Sequence, residues 1–219
     1  MTSPQHRKFC IQCLKAKRAC LCEYVVPFHC GAKIVILMHD KEHRQRAGTG
    51  TGRLTHQSII DSSLFIGLSF EENSKFKNLL SDSQYAPFLL YPGPDAYDVS
   101  SASGAQMVRE KSVLQNKIPL IFVLDASWSC AWSLLRANPS LYSIPKISFS
   151  TSRMSEYQFK TQPQSYCLST LEAVHELLSQ FQQFNISGEF ESQEHHHLMF
   201  LFKKLVSFQD SFSPQNRSI

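Results

Sequence analysis

The feature that most constrains this fold is the alternation of short apolar runs with segments of helical spacing. Runs of this length that end in turns or prolines predict buried strands, and the amphipathic segments between them predict helices. Such alternation favours an α/β fold with a mainly parallel sheet and flanking helices. The predicted strands are Lys33–Met38, Leu64–Phe70, Pro87–Tyr91, Pro119–Leu124 and Pro145–Phe149. The predicted helices are Leu54–Ser62, Ser74–Leu80, Met107–Leu114, Ser127–Asn138, a helix opened by Ser169, and a last helix around 198–208.

The helix that begins after Ser169 has the clearest start signal. Ser169-Thr170-Leu171-Glu172 is a capping box, in which the serine and glutamate side chains satisfy the first free N–H groups. Apolar residues that follow at helical spacing predict one buried face. They are Leu171, Val174, Leu178 and Phe181.

One predicted strand runs straight into chemically useful side chains. The apolar residues up to Leu124 are followed by Asp125, Ala126, Ser127 and Trp128. Ligands in α/β proteins bind outside the carboxyl ends of strands, so this position is a candidate site. The alternative is that Asp125 or Ser127 only caps the next helix.

The charge of the chain is unevenly distributed. The net charge is +4, but residues 1–55 carry ten Lys and Arg against three Asp and Glu. A basic first quarter on a near-neutral body is typical of proteins that bind a phosphate backbone. An ordinary solvated surface is the alternative, and the cysteines in the same region favour nucleic acid.

Four of the seven cysteines are closely spaced, at Cys10, Cys13, Cys20 and Cys22. In a reducing compartment this density indicates a metal site rather than disulfides, and four thiolates suit tetrahedral Zn²⁺. Four reduced cysteines without metal are the alternative. The remaining cysteines, Cys30, Cys130 and Cys167, are too dispersed to join the cluster. The run 195–197 consists of three histidines beside an amphipathic helix and is predicted to be a solvated face.

Length and hydropathy predict a cytoplasmic protein. A chain of 219 residues with 42% apolar residues suffices for one large domain with a core of its own. No apolar run is long enough to span a bilayer, and no secretory signal is visible at the start. We expect a monomer with a cysteine-rich zinc-binding segment (1–32), a catalytic domain (33–210) and a frayed tail (211–219).

Several short motifs, taken in order, resemble the DTW-domain family, which includes tRNA-uridine aminocarboxypropyltransferases. The resemblance covers nearly the whole chain, and the order and spacing of the motifs make it specific. Its motifs are the four-cysteine cluster, His39-Asp40-Lys41-Glu42, Gly50-Thr51-Gly52-Arg53-Leu54, Tyr91-Pro92-Gly93-Pro94-Asp95-Ala96, Asp125-Ala126-Ser127-Trp128, Asn138-Pro139-x-Leu141, Ser155-x-Tyr157 and Cys167-Leu168-Ser169-Thr170-Leu171-Glu172-Ala173.

The chain departs from the family pattern at three positions. Ser127 replaces a threonine and keeps its hydroxyl, whereas Asp40 replaces a proline, so the family's shape is not assured for the loop after the first strand. Lys160 stands where many relatives have arginine, which keeps the charge and loses the bidentate geometry.

The resemblance implies a SPOUT-like fold whose C-terminal trefoil knot holds S-adenosylmethionine between three loops. True knots are rare, and no periodicity in a sequence reveals one. The implied cofactor-binding residues are Tyr91, Pro92, Gly93, Leu124, Ala126, Ser127, Trp128, Cys167, Leu168, Ser169 and Thr170.

The resemblance also implies transfer of a 3-amino-3-carboxypropyl group from S-adenosylmethionine to N3 of a uridine in tRNA. Asp125 is the expected base for the N3 proton, although a structural or ribose-binding role stays open. Trp128 either stacks on a base or belongs to the core. The expected RNA-binding residues are Arg44, Arg46, Arg53, Arg153 and Lys160. A SPOUT-type RNA methyltransferase, an inactive zinc-bearing RNA-binding protein and a ribosomal RNA substrate are the alternatives.

Overall fold

The computed structural model describes residues 9–13, 15–45, 50–151, 155, 168–186 and 193–211. Its strands are β1 (Lys33–His39), β2 (Ser62–Gly67), β3 (Tyr85–Leu90), β4 (Tyr97–Asp98), β5 (Ile118–Asp125) and β6 (Lys146–Ser148). They form one sheet in the order β2-β1-β5-β3-β6-β4, and every neighbouring pair is parallel. The mainly parallel α/β fold expected from the sequence is therefore confirmed.

Helices connect the strands and cover the sheet. They are α1 (Asp40–Gln45), α2 (Gly52–Ser58), α3 (Ser74–Ser81), α4 (Ala102–Lys111), α5 (Trp128–Ala137), α6 (Thr170–Gln183) and α7 (His196–Asp210). Short 3₁₀ turns lie at Lys17–Ala19, Cys22–Tyr24, Val113–Gln115, Pro139–Tyr142 and Gln193–His195. Across the described ranges, no helix combines the length and the apolar character that a membrane crossing requires.

The core consists of two apolar layers, one on each face of the sheet. Successive strand residues point to opposite faces. Ile34 and Ile121 therefore pack with α2, α4, α6 and α7, whereas Val35 and Phe122 pack with α3 and α5. The N-terminal segment adds side chains such as Phe28 to the first layer, so it packs on the same core.

The predicted boundaries around α2 and β2 are wrong by several residues. The helix ends at Ser58 because the chain leaves it to pair with Phe28, whose N–H donates to the Ser58 carbonyl at 3.0 Å. The Ser62 hydroxyl then shares its single hydrogen between the carbonyls of His56 and Ile59, at 2.9 Å and 2.6 Å, near the helix end. The strand consequently begins at Ser62 and ends at Gly67, before the predicted end.

Other elements lacked a periodic signal in the sequence. The helix predicted from Met107 begins at Ala102, where Ser101 caps it by accepting the Gly104 N–H at 3.1 Å. A Cβ at position 104 would overlap the Asp98 backbone, so glycine permits this close packing. The short elements α1 and β4 were not predicted, since one is largely charged and the other pairs over two residues.

The trefoil knot stays a prediction. It depends on the path of the chain between residues 151 and 168, a stretch in which the structure describes Ser155 alone.

Candidate functional site

The carboxyl ends of β1, β5 and β3 lie side by side near the middle of the sheet. Met38 is paired with Asp125, and Leu90 with Val123, so the residues that follow these strands emerge at one edge. Parallel α/β proteins bind ligands at this edge. The sheet order thus places the loop after β3 and the loop after β5 next to each other, as the predicted site requires.

Asp125 is buried at this edge, with 7% of its surface exposed. Its Oδ1 atom accepts a hydrogen bond of 2.5 Å from the Thr170 hydroxyl at the start of α6. On its other side, a Cβ at position 52 would overlap the carboxylate, so Gly52 at the start of α2 allows the close approach. Asp125 therefore lies where three segments distant in sequence meet: the end of β5, the start of α2 and the start of α6. A residue that only capped α5 would not need these contacts.

The loop between β5 and α5 is held by Glu42 in α1. The Ser127 N–H donates to Glu42 Oε1 at 3.1 Å. Ser127 occupies the N-cap position of α5, but its side chain makes no capping hydrogen bond. The helix-cap interpretation of Ser127 is therefore wrong for its side chain. Glu42 belongs to one of the family motifs, but nothing in the sequence assigned it a role, because its partner Ser127 lies 85 positions away and no local spacing indicates the contact.

Two aromatic rings meet where the residues after β3 and β5 come together. The Tyr91 and Trp128 rings are 6.1 Å apart between centroids in an edge-to-face arrangement. Trp128 is 40% exposed, so the interpretation as a core residue is wrong. Burial raises the pKa of Tyr91 above that of a free tyrosine, whose phenol is already neutral at physiological pH. A half-exposed indole is suited to stacking on a nucleobase.

The start of α6 is fixed by the predicted capping box, which is confirmed. Ser169 Oγ accepts the Glu172 N–H at 3.4 Å, and Glu172 Oε2 accepts the Ser169 N–H at 2.8 Å. The Ser155 hydroxyl donates to the same Glu172 oxygen at 2.9 Å. These bonds hold Thr170 where it contacts Asp125.

The remaining predicted cofactor residues belong to the segments around the ends of β3 and β5 and the start of α6. Leu124, Ala126 and Leu168 are half-buried, and Pro92 and Gly93 are exposed after β3. Cys167 lies outside the described residues.

Two of the five predicted RNA-binding residues can be placed, and both lie on the helices that follow β1. Arg44 is exposed and forms an ion pair of 2.6 Å with Asp40, one turn earlier. Arg53 Nη2 lies 2.9 Å from His43 Nδ1. The other three, Arg46, Arg153 and Lys160, lie outside the described residues. A pair of arginines therefore flanks the edge at which Asp125 is found.

The four clustered cysteines come together in space. The Sγ atoms of Cys13 and Cys20 are 3.7 Å apart and those of Cys10 and Cys22 are 3.8 Å apart. All four lie within 4.8 Å of one another. Sulfur atoms about 2.3 Å from a tetrahedral ion are about 3.8 Å apart, so the thiols fit one metal ion.

The thiols of the cluster differ in their electrostatics, since burial raises the pKa of Cys20 and of Cys22. Backbone N–H groups of Cys13 and Gln12 lower the pKa of the Cys10 thiol to about 6. The Lys15 side chain is buried beside the cluster, where burial lowers its pKa to about 8 and the neighbouring thiolates oppose that shift. Four thiolates and one divalent ion leave two negative charges, which a lysine ammonium partly offsets.

The prediction of a solvated histidine face is wrong. His195 is 3% exposed, because the 3₁₀ turn before α7 directs it onto α6, where it meets the buried His175. His197 contacts the N-terminal segment through the Tyr24 carbonyl, at 2.6 Å. Among these three neighbours, His196 alone is exposed.

Comparison with known proteins gives one family and several relatives. Residues 7–210 match the DTW domain. The tRNA-uridine aminocarboxypropyltransferase 2 of Mus musculus is 27% identical over 188 residues, which cover 84% of this chain and 60% of the relative. That of Macaca fascicularis is 26% identical over 190 residues, with the same two shares. That of Drosophila melanogaster is 25% identical over 181 residues, 80% of this chain and 67% of the relative.

These matches leave part of each relative uncovered. The chain spans about 60% of the length of the first two relatives. No solved structure matches this chain.

Proposed function

Because this chain belongs to the DTW domain family, we propose that it transfers the 3-amino-3-carboxypropyl group of S-adenosylmethionine to N3 of a uridine in tRNA. The observation that carries the proposal is the convergence of the loops after β3 and β5 with the start of α6. Tyr91 meets Trp128 there, and Thr170 donates to Asp125. The names of the relatives, tRNA-uridine aminocarboxypropyltransferase 2, support tRNA as the substrate.

The donor is expected to bind where these three segments meet. When bound, S-adenosylmethionine supplies an activated carbon next to its sulfonium, and methylthioadenosine is the neutral leaving group. The half-exposed Trp128 ring offers a face for the adenine or for the target base. N–H groups in the first turn of α6 that the capping box does not use would hold the carboxylate of the transferred arm.

Asp125 is proposed as the base for the uridine. Alkylation at N3 requires loss of the N3 proton, and a positioned carboxylate can accept it. The Thr170 hydroxyl fixes the orientation of this carboxylate by bonding one of its oxygens. Glu42 holds the adjoining loop through the Ser127 N–H. The target uracil must leave its stack to reach a buried carboxylate, so an unpaired or flipped nucleotide is expected.

The cysteine cluster is proposed to hold one structural Zn²⁺. Cys10, Cys13, Cys20 and Cys22 would supply four thiolate ligands, and the sulfur spacing fits that ion. The segment it stabilises is strongly basic, which supports a role in binding the tRNA backbone. The SPOUT-like knot is part of the same proposal, because it is the way in which such proteins enclose the donor.

The product identifies the reaction. The protein should be incubated with S-adenosylmethionine and an unmodified tRNA transcript, and the nucleosides and small molecules analysed by mass spectrometry. We expect aminocarboxypropyl-uridine and an equal amount of methylthioadenosine. A methylated nucleoside with S-adenosylhomocysteine would identify a methyltransferase instead. Tight tRNA binding without either product would identify an RNA-binding protein. If product forms only on a ribosomal RNA fragment, the substrate is ribosomal RNA and not tRNA.

Replacing Arg44 and Arg53 with alanine should weaken tRNA binding and reduce its dependence on salt. Each phosphate contact releases counterions, so loss of two contacts should reduce the slope of log affinity against log salt by roughly 1.4 to 1.8. Binding titrations at several salt concentrations measure this slope. Lys117→Ala is the control, since Lys117 directly precedes β5 and so lies at the amino ends of the strands, away from Asp125. An unchanged slope in the double variant would place the RNA elsewhere.

A further inference from the structure

Three histidines outside the Asp125 site form a compact cluster between α6 and α7. The ring centroids of His195 and His196 are 4.2 Å apart, and each is 5.3 Å from that of His175. One nitrogen from each ring lies within 4.8 Å of the others. We propose that this cluster binds a divalent first-row transition-metal ion, with Zn²⁺ as the probe, through three imidazole ligands.

The distances between the rings suit a shared ion. The Nε2 atom of His175 and the Nδ1 atom of His196 are 3.0 Å apart. Two imidazole nitrogens about 2.0–2.1 Å from one tetrahedral ion would be about 3.3 Å apart, so a small shift of one ring accommodates the metal. Neutral imidazole is a good ligand for zinc, copper, nickel and iron. Three imidazoles around one ion are a common donor set.

A hydrogen bond to α6 orients the His195 ring. Ser179 Oγ donates its single hydrogen to the His175 carbonyl at 3.0 Å. His195 Nε2 lies 3.1 Å from the same hydroxyl oxygen and must therefore donate to it. A neutral His195 then carries its lone pair on Nδ1. Metal-binding histidines are usually oriented in this way, through a hydrogen bond from the other ring nitrogen.

The cluster reaches the protein surface at His196. His196 is exposed and lines a surface cavity of about 480 Å³, together with Val26, Glu194 and Phe200. His175 and His195 are buried behind it. An entry path and an ordered ligand set are the features expected of a real metal site. Because the ligands come from α6 and from the start of α7, the ion would clamp these two helices together.

Metal analysis of matched histidine variants tests the proposal. The protein is prepared without a histidine tag, equilibrated with Zn²⁺ and freed of excess metal, and its zinc is counted by mass spectrometry. His196→Gln changes an exposed ligand and should lower the content by one zinc per chain. His197→Gln is the control, because this neighbour bonds the Tyr24 carbonyl and glutamine can still donate to it. Equal zinc in wild type and His196→Gln, or the same loss in both variants, would overturn the proposal.

Cobalt distinguishes this site from the cysteine cluster. Co²⁺ bound by thiolates gives an intense charge-transfer absorption that imidazole ligands do not give. The Cys13→Ser variant should still bind Co²⁺, but without the full thiolate absorption. Adding His196→Gln to this variant should remove the bound Co²⁺, and this pair of results would support the histidine site. If none of the bound cobalt depends on His196, the proposal is overturned. Neither result depends on transferase activity or on zinc at the cysteines.

Discussion

Replacing Asp125 with asparagine should lower aminocarboxypropyl transfer by roughly two to four orders of magnitude, the usual contribution of a positioned base. Asparagine keeps the size of the side chain and can still accept the Thr170 hydroxyl through its carbonyl oxygen, but it cannot take the N3 proton. Affinity for S-adenosylmethionine should change much less, because the carboxylate acts on the uridine. Raising the pH should partly restore transfer, since solvent then removes the N3 proton.

Single-turnover transfer to tRNA, measured beside S-adenosylmethionine binding across a pH series, checks this expectation. Thr170→Val is the matched control, because it removes the hydrogen bond to Asp125 and leaves the carboxylate in place. We expect a smaller loss of transfer in that variant and no rescue at high pH. Normal transfer by Asp125→Asn would rule out the base, and loss of donor binding in step with activity would assign Asp125 to binding.

Replacing Cys13 with serine should remove one zinc ion per chain and destabilise the N-terminal segment. Cys13 is buried within the cluster, and a hydroxyl is a far weaker zinc ligand than a thiolate. Structural zinc contributes folding free energy directly, so solubility and tRNA affinity should fall more than donor affinity. Elemental analysis, thermal unfolding and tRNA titration measure these effects.

Cys130→Ser is the control for this variant, since Cys130 is a partly buried thiol in α5, outside the cluster. Its zinc content should equal that of the wild type. Purified wild-type protein with freely titratable thiols at the four clustered positions, and no zinc bound to them, would contradict the metal site.

Local patterns in the sequence were sufficient for the elements with strong periodicity. The apolar runs of β1 and β5 and the capping box of α6 were predicted close to their observed bounds, since each is determined by neighbouring residues. The same reasoning failed for α1 and β4, which are short and carry no apolar repeat. It also misplaced the end of α2, because pairing with Phe28, 30 positions earlier than Ser58, ends that helix.

Asn138 illustrates how a motif residue can have a structural role. Its side chain accepts the Phe70 N–H at 2.6 Å and donates to the carbonyls of Leu68 and Leu134. It therefore fastens the loop after β2 to the end of α5. The motif alone did not separate this role from one in the site.

The sequence by itself determined the α/β class, the strand that ends at Asp125 and the spacing of the four cysteines. Only the tertiary structure decided which distant groups meet: Asp125 with Thr170, Ser127 with Glu42, and His175 with His196. The reason is that these contacts depend on the order of strands in the sheet and on how α6 and α7 pack. Both are set by burial of apolar surface across the whole chain, which short-range spacing does not encode.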